Sequence, residues 1–267
     1  MDTTTKDDAI VRNMAGVKKK FMVFSGKGGV GKTTTAVNLA YSIMSKGHNV
    51  GLLDIDIHGP DVIKMMGLEN ARLEGAGDRI EPLKPFPGMK VMSTALIIES
   101  EDTPVIWRGP LKMKLIKQYL SDVNWGELDY LIIDSPPGTG DEPLSITQLL
   151  PDLDGGIIVT TPQDLATLDA SKSIRFAQEL GLKYIGVIEN MSGFLCPHCG
   201  KRVDIFKTGG GCRIASEMGV DFLGRVPYDM QVMSLSDEGH IYVMDNKNGT
   251  QVSEAYNHIS NRIINLK

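Results

Sequence analysis

Gly26-Lys27-Gly28-Gly29-Val30-Gly31-Lys32-Thr33 fits the G-x-x-x-x-G-K-[ST] spacing of a phosphate-binding loop, and each residue type in it has a chemical reason. Glycines let backbone N–H groups turn inward around phosphate oxygens, Lys32 can reach the β and γ phosphates, and Thr33 offers a hydroxyl to magnesium. An apolar run over 21–24 precedes the loop, and alanines and apolar residues at helical spacing follow over 34–44. Phosphates would therefore sit at a helix N-terminus, with Gly26, Lys27, Gly28, Gly29, Val30, Gly31, Lys32, Thr33 and Thr34 as candidate ATP contacts. Strand, loop and helix all fall where the motif needs them, which a merely connecting glycine turn would not require.

The 267 residues alternate short apolar runs with longer helical patterns, as one α/β unit does. Strands are expected at 21–25, 50–54, 131–134, 157–160, 184–190 and 222–226, and helices at 33–46, 111–120, 142–150, 165–180 and 252–264. The strand runs are continuously apolar, which suits strands covered on both faces. That predicts a doubly wound, mostly parallel sheet with helices on each side. Residues 73–94, with Pro82, Pro85, Pro87 and Gly88, read as a loop or short hairpin between core units. Residues 1–18 read as a flexible tail, and 19–267 as a single domain.

Charge and composition narrow the function classes. A net charge of −5 supplies no global attraction for nucleic acid, and no apolar stretch approaches the ~18 residues of a membrane span. The polar N-terminus lacks the regions of a secretory signal, so the expected location is cytoplasmic, with no membrane or nucleic-acid partner.

In a doubly wound sheet, ligands gather at the carboxyl ends of the strands, and chemistry-bearing residues collect there too. Asp134, in Asp134-Ser135-Pro136-Pro137-Gly138-Thr139-Gly140-Asp141, ends an apolar strand where a magnesium-facing carboxylate belongs. Its glycine-rich sequel looks like a switch segment rather than a simple helix cap. Asp54 and Asp56 alternate along an extended backbone, so both carboxylates point the same way. Asp61 reads as a cap for the helix that follows, with membership of the switch as the alternative.

Cys196-Pro197-His198-Cys199-Gly200 is the second strong signal, within a metal-loop candidate at about 194–212. A C-x-x-C turn brings two thiolates within reach of one metal centre. Only Cys212 remains elsewhere, either as a structural cysteine or as a transient ligand, so one chain falls short of four thiolates while two chains supply them. Zinc, with His198 as a third ligand, and a redox dithiol stay open beside an iron–sulfur cluster.

With Lys27 one place after the first glycine, the loop resembles the deviant Walker A class of nitrogenase iron protein and the division and partition ATPases. That resemblance implies a dimer in which Lys27 reaches the partner's nucleotide, Asp56 orients or activates the attacking water, and Asp54 supports the magnesium shell. It also implies that Asn190 hydrogen-bonds adenine and that Pro227 helps to wall it. Taken together with D-I-D-I-H-G-P-D, W-R-G-P at 107–110, D-S-P-P-G-T-G-D, V-I-E-N-M-S, C-P-H-C-G and the late G-G-G, the sequence over about 20–229 resembles the Mrp (ApbC-type) iron–sulfur cluster carrier ATPases. The family implies a slow ATPase forming a homodimer, with a 4Fe-4S cluster held by Cys196 and Cys199 of each chain. The cluster would be received from an upstream scaffold and delivered to apo-proteins. Catalytic roles fall to Lys27, Lys32 and Asp56, and magnesium to Thr33, Asp54, Asp56 and Asp134. Two rivals share the Lys27 signature: a spatial organiser with structural zinc at C-x-x-C, and a cluster-bearing electron donor.

Overall fold

In the computed structural model, which describes residues 3–57, 59–76, 79–97, 109–138, 140–196, 198–246 and 249–266, the apolar runs become strands of one parallel sheet. Helix α1 (Thr3–Met14) leads into strand β1 (Val17–Phe24), helix α2 (Lys32–Met44) and strand β2 (Val50–Asp54). A short α3 (Val62–Met65) is followed by the hairpin β3 (Glu74–Ala76) and β4 (Arg79–Glu81), then by β5 (Met89–Ser93). Next come α4 (Gly109–Ser121), β6 (Leu128–Asp134), α5 (Asp141–Leu149), β7 (Gly155–Thr160), α6 (Asp164–Glu179) and β8 (Tyr184–Glu189). A second hairpin of β9 (Phe194–Leu195) and β10 (Arg202–Val203) precedes α7 (Gly210–Met218) and β11 (Asp221–Arg225). Helices α8 (Met230–Asp237), α9 (Tyr242–Asp245) and α10 (Gln251–Ile264) close the fold.

The main sheet runs β11-β8-β7-β1-β6-β2-β5, and every pairing in it is parallel. Side chains alternate across it, as the pleat requires. Phe21 and Val23 of β1 join a core with Leu39 and Ile43 of α2 and Tyr256 and Ile259 of α10. Met22 and Phe24 join a second core with Ile116 and Leu120 of α4 and Ile174 of α6. Both faces are thus covered, in agreement with the doubly wound expectation. Consecutive strands β6 and β7 lie on opposite sides of β1, which opens the crevice at its carboxyl end that such sheets use for ligands.

Three expectations are corrected. The tail assigned to 1–18 contains α1 and the start of β1. Ile10 and Met14 are buried, and the Asn13 amide donates to the carbonyls of Leu120 and Val123, both at 2.8 Å. The segment is polar on average, and only its contact with α4 shows which few residues face inward. Strand β1 begins four residues early, at Val17, because Lys18 and Lys19 mask a stretch whose backbone already pairs with β6. Finally, the region 73–94 holds the short hairpin but also β5, the sheet edge beside β2, with Ser93 in register with Asp54. Five residues of Met-Lys-Val-Met-Ser carry too little periodicity to announce a strand whose partner lies far back in the chain.

Replacing Ile10 by Ala should lower the unfolding free energy by about 2–4 kcal/mol in urea denaturation, since it empties a core site. A mobile tail would show no change.

Candidate functional site

The candidate nucleotide site grows from the end of β1. Helix α2 has Gly31 as its N-cap with no side-chain hydrogen bond there, so the first N–H groups of the helix carry no capping partner from it. Gly31 is left-handed at φ +81°, and an added Cβ would lie 2.2 Å from Nδ2 of Asn190. No other residue type fits. At Gly28 and Gly29 an added Cβ would meet nothing within 4 Å, so the loop borders open space of the kind a phosphate cradle needs. Lys27 is half-buried in that loop.

Three strand ends bring the carboxylates together. Asp54 of β2 and Asp134 of β6 are register partners, and both are fully buried. Lys32 Nζ reaches Asp134 Oδ1 at 2.6 Å, and Thr33 Oγ1 donates to Asp134 Oδ2 at 2.7 Å. Asp54 accepts from the Asp56 N–H at 3.0 Å and from the Ser93 hydroxyl at 2.8 Å. Asp56, 7% exposed, accepts from the Gly59 N–H at 3.3 Å, and its own carbonyl accepts from Thr94 Oγ1 at 3.1 Å. Burial, with Asp134 alongside, pushes the Asp54 carboxyl well above the usual carboxylate range. Burial also raises Asp134, while Lys32 and the hydroxyl of Thr33 pull it back. Asp61 is raised by burial and by Asp56, and although it occupies the N-cap position of α3 its side chain makes no cap bond there. The expected role of Asp61 as a side-chain cap is therefore corrected.

The donor set fits magnesium with a nucleotide. Hard carboxylate and hydroxyl oxygens from Thr33, Asp54, Asp56 and Asp134 converge beside the loop, and the close pair of buried carboxylates has one ammonium group, Lys32, bonded to it. Magnesium takes one or two protein oxygens together with water and phosphate, which agrees with the absence, among the described residues, of any cluster of three His, Cys, Asp or Glu built to hold a metal alone.

Asn190 follows β8 directly. Its Nδ2 donates to the Val30 carbonyl at 2.9 Å, so the side chain braces the phosphate loop. Pro227 lines a cleft of about 340 Å³ with Phe194, Arg202, Arg225 and Glu254, beside the cysteine hairpin.

Cys196 and Cys199 sit in the turn joining β9 to β10. The turn is closed by Gly200 N–H donating to the Cys196 carbonyl at 2.8 Å and by Cys196 N–H donating to the Lys201 carbonyl at 3.0 Å. Backbone N–H groups of His198 and Cys199, together with the Cys199 thiol, bond the Cys196 sulfur and lower its pKa, favouring the thiolate that binds metal. Cys199 and His198 are exposed, and all three cysteines are unpaired. Cys212 lies in the first turn of α7. Of the sequence motifs, His58, Trp107, Arg108, Thr139 and Pro197 lie outside the described residues.

Sequence reasoning missed Ser93 and Glu189. Ser93 anchors Asp54 from a strand that the pattern did not reveal, and Glu189 is a fully buried carboxylate at the end of β8. A charged residue closing an apolar run, Val187-Ile188-Glu189, was the available signal for the second.

A family profile described as NUBPL iron-transfer P-loop NTPase, of the ParA group, matches residues 16–264. The iron-sulfur cluster carrier protein of Methanocaldococcus jannaschii is 50% identical over 260 residues, covering 97% of this chain and 88% of its own length. A cytosolic Fe-S cluster assembly factor of Saccharomyces cerevisiae is 45% identical, covering 84% of this chain and 78% of its own. Among solved structures, a nucleotide-binding protein in complex with ADP from Archaeoglobus fulgidus superposes with a TM-score of 0.77 at 36% identity, covering 88% of this chain and 92% of the other. MinD of Aquifex aeolicus shares the fold, with a TM-score of 0.66 at 20% identity over 93% of this chain and 98% of its own.

Asp54→Asn should stabilise the nucleotide-free protein by about 1 kcal/mol at neutral pH while weakening magnesium-dependent nucleotide binding, because it removes one of two adjacent buried charges. A carboxyl whose pKa is raised by folding holds its proton longer in the native state. Stability is therefore lost as pH rises from the ordinary value of 3.8 toward the raised one. The gap between variant and wild type should accordingly widen over that rise, as read from thermal melts at stepped pH.

Proposed function

The chain belongs to the NUBPL-type iron-transfer P-loop NTPase family, and on that premise we propose that it is an ATP-hydrolysing carrier holding a 4Fe-4S cluster as cargo between two copies of itself and passing it to apo-proteins. The observation that carries the proposal is the thiol pair. Cys196 and Cys199 occupy a closed turn on a hairpin outside the main sheet, with the Cys196 thiolate favoured, yet each chain brings only these two thiols to the turn. A cubane takes four thiolates, so two copies facing through their hairpins supply the set.

Nucleotide chemistry falls to the loop after β1. Lys32 and the N–H groups at the start of α2 bind the phosphates, and Thr33 and Asp134 hold magnesium, with Asp54 and Asp56 oriented by Ser93 and Gly59. Magnesium supplies neutralisation of developing phosphate charge. Asp56 orients the attacking water, Lys27 serves the nucleotide of the partner copy, and Asn190 and Pro227 meet the base. Lys32, bonded to Asp134 in the free protein, would turn to the phosphates of a bound nucleotide, and Asp134 and Thr33 would then be the residues to hold a divalent cation, which would favour binding magnesium and nucleotide together. Relatives are named for cluster carriage and for cytosolic cluster assembly, so the acceptors are taken to be apo iron–sulfur proteins of the cytoplasm.

The test is iron, sulfide and zinc content of anaerobically prepared dimer beside a Cys196→Ser, Cys199→Ser double variant. About four irons and four sulfides per dimer, lost in the variant, are expected. Stoichiometric zinc without sulfide, even after attempted cluster reconstitution, would overturn the carrier assignment and favour a structural clasp. In a second experiment, Thr33→Ala should weaken magnesium-dependent ATP binding roughly tenfold or more in titration calorimetry. Lys32→Ala should in addition lower the melting temperature, because it strands the buried Asp134 charge.

A further inference from the structure

Between Asn190 and Gly209 the chain leaves the main sheet, forms the β9–β10 hairpin with its cysteines, and returns to start α7. Both feet of this excursion stand on one side chain. Glu189, fully buried at the last position of β8, accepts from the Ser192 hydroxyl at 2.5 Å on the outgoing foot. On the returning foot it accepts from the Gly209 N–H at 2.9 Å and the Gly211 N–H at 2.5 Å. Arg225 of β11 pairs with it at 3.3 Å. A buried carboxylate is costly unless its lone pairs are met by several donors, and here the donors come from both ends of the cysteine lobe. Gly211 is also the only residue type that fits, since an added Cβ would lie 2.9 Å from Cβ of Glu189.

The next residue grips the phosphate loop. Asn190 holds the Val30 carbonyl through its amide and the Thr160 carbonyl through its backbone N–H, at 2.9 and 2.7 Å, and it fills the space beside Gly31 that a Cβ would need. Immediately beyond lies Met191, left-handed at φ +55°, a conformation that costs a non-glycine residue roughly 1 kcal/mol or more. Two adjacent side chains at one strand end therefore hold the two functional parts of the molecule, one each, with a strained joint just after them.

We infer that Glu189 is a positioning residue that works with Asn190 as the relay through which nucleotide at the phosphate loop sets the geometry of the Cys196–Cys199 turn within one subunit. The inference rests on the carrier function proposed above, but the relay itself is a property of the protein without cluster. Nucleotide that shifts the Val30–Gly31 peptide moves Asn190. The strand end passes that movement to Glu189, and the feet of the lobe follow because that carboxylate bonds both of them, while backbone bonds from the Ser192 N–H to the Val226 carbonyl and from the Tyr228 N–H to the Gly193 carbonyl tie the outgoing foot to the segment after β11. Neither Glu189 nor Ser192 touches the nucleotide site, so their loss should uncouple the sites without emptying either.

The experiment measures alkylation of Cys196 and Cys199 by iodoacetamide on the full-length, cluster-free, reduced protein, resolved by mass spectrometry, with and without magnesium and ATP. In wild type, nucleotide should change the rate at the pair by about fivefold or more, the usual lower range for coupled sites. In Glu189→Gln, whose amide would face the Gly211 N–H donor, that response should vanish while ATP affinity stays within about twofold of wild type. Ser192→Ala, which frees only the outgoing foot and keeps the buried charge, should reduce the response and serves as the readout if Glu189→Gln does not fold. An undiminished response in Ser192→Ala with ATP bound, or no response in wild type, overturns the relay. A wild type that carries four irons per dimer but shows no thiol response loses the relay alone. Thiols that respond in a protein that never acquires sulfide support the relay and remove the carrier function.

Discussion

Two carboxylates placed side by side in the interior, Asp54 and Asp134, are tolerated because Lys32 is bonded directly to one of them and hydroxyls and N–H groups hold both. Everything around the nucleotide site is arranged by that constraint. The sheet must be parallel for both carboxyl ends to meet the same loop, and β5 must pair with β2 for Ser93 to reach Asp54. Removing the ammonium group alone would leave a buried charge without a partner, which costs several kcal/mol more than the pair contributes. The arrangement therefore depends on the cation that the fold supplies, Lys32.

The cysteine lobe follows a different logic. It contributes little to either hydrophobic core, its hairpin strands are two residues each, and Leu195, Val203 and Ile205 are exposed on it. Polar contacts fix its feet, and the rings of Phe194 and Phe206 pack edge-on against Tyr228. Glu189 supplies the buried anchor, and Asp164 of α6 adds exposed pairs with Lys207 at 2.6 Å and Arg213 at 3.2 Å. Exposed pairs contribute little, so among these ionic contacts the buried one matters most. Because the lobe lies outside both hydrophobic cores, it can shift at less cost to packing than an element embedded in one. The separation of scaffold from cysteine lobe is thus a consequence of which forces hold each.

Most of the central architecture was legible in the residues because it is governed by local pattern. Continuous apolar runs gave β2, β6, β7 and β8, and helical spacing gave α2, α6 and α10 within a few residues. The phosphate loop and the C-x-x-C turn were legible for a similar reason, since each is a contiguous stretch whose chemistry needs its residues at fixed spacing. Helix α1 and strand β5 were not. The first has a polar average and a few inward residues, and the second is five residues long, so each acquires its identity from a partner more than thirty residues away in the chain. Asn190 was read as a base contact from the family resemblance, and only the fold shows its amide bonded to Val30.

From the sequence alone came the fold class, the phosphate chemistry and the thiol pair, because periodicity, loop spacing and ligand spacing are written along the chain. The tertiary structure alone decided that Lys32 neutralises Asp134, that Ser93 steadies Asp54, and that Glu189 gathers both feet of the cysteine lobe. These are contacts between residues far apart in sequence or hidden beneath it. Their strength comes from burial, which excludes water and leaves each charged group only the partners that the fold brings to it.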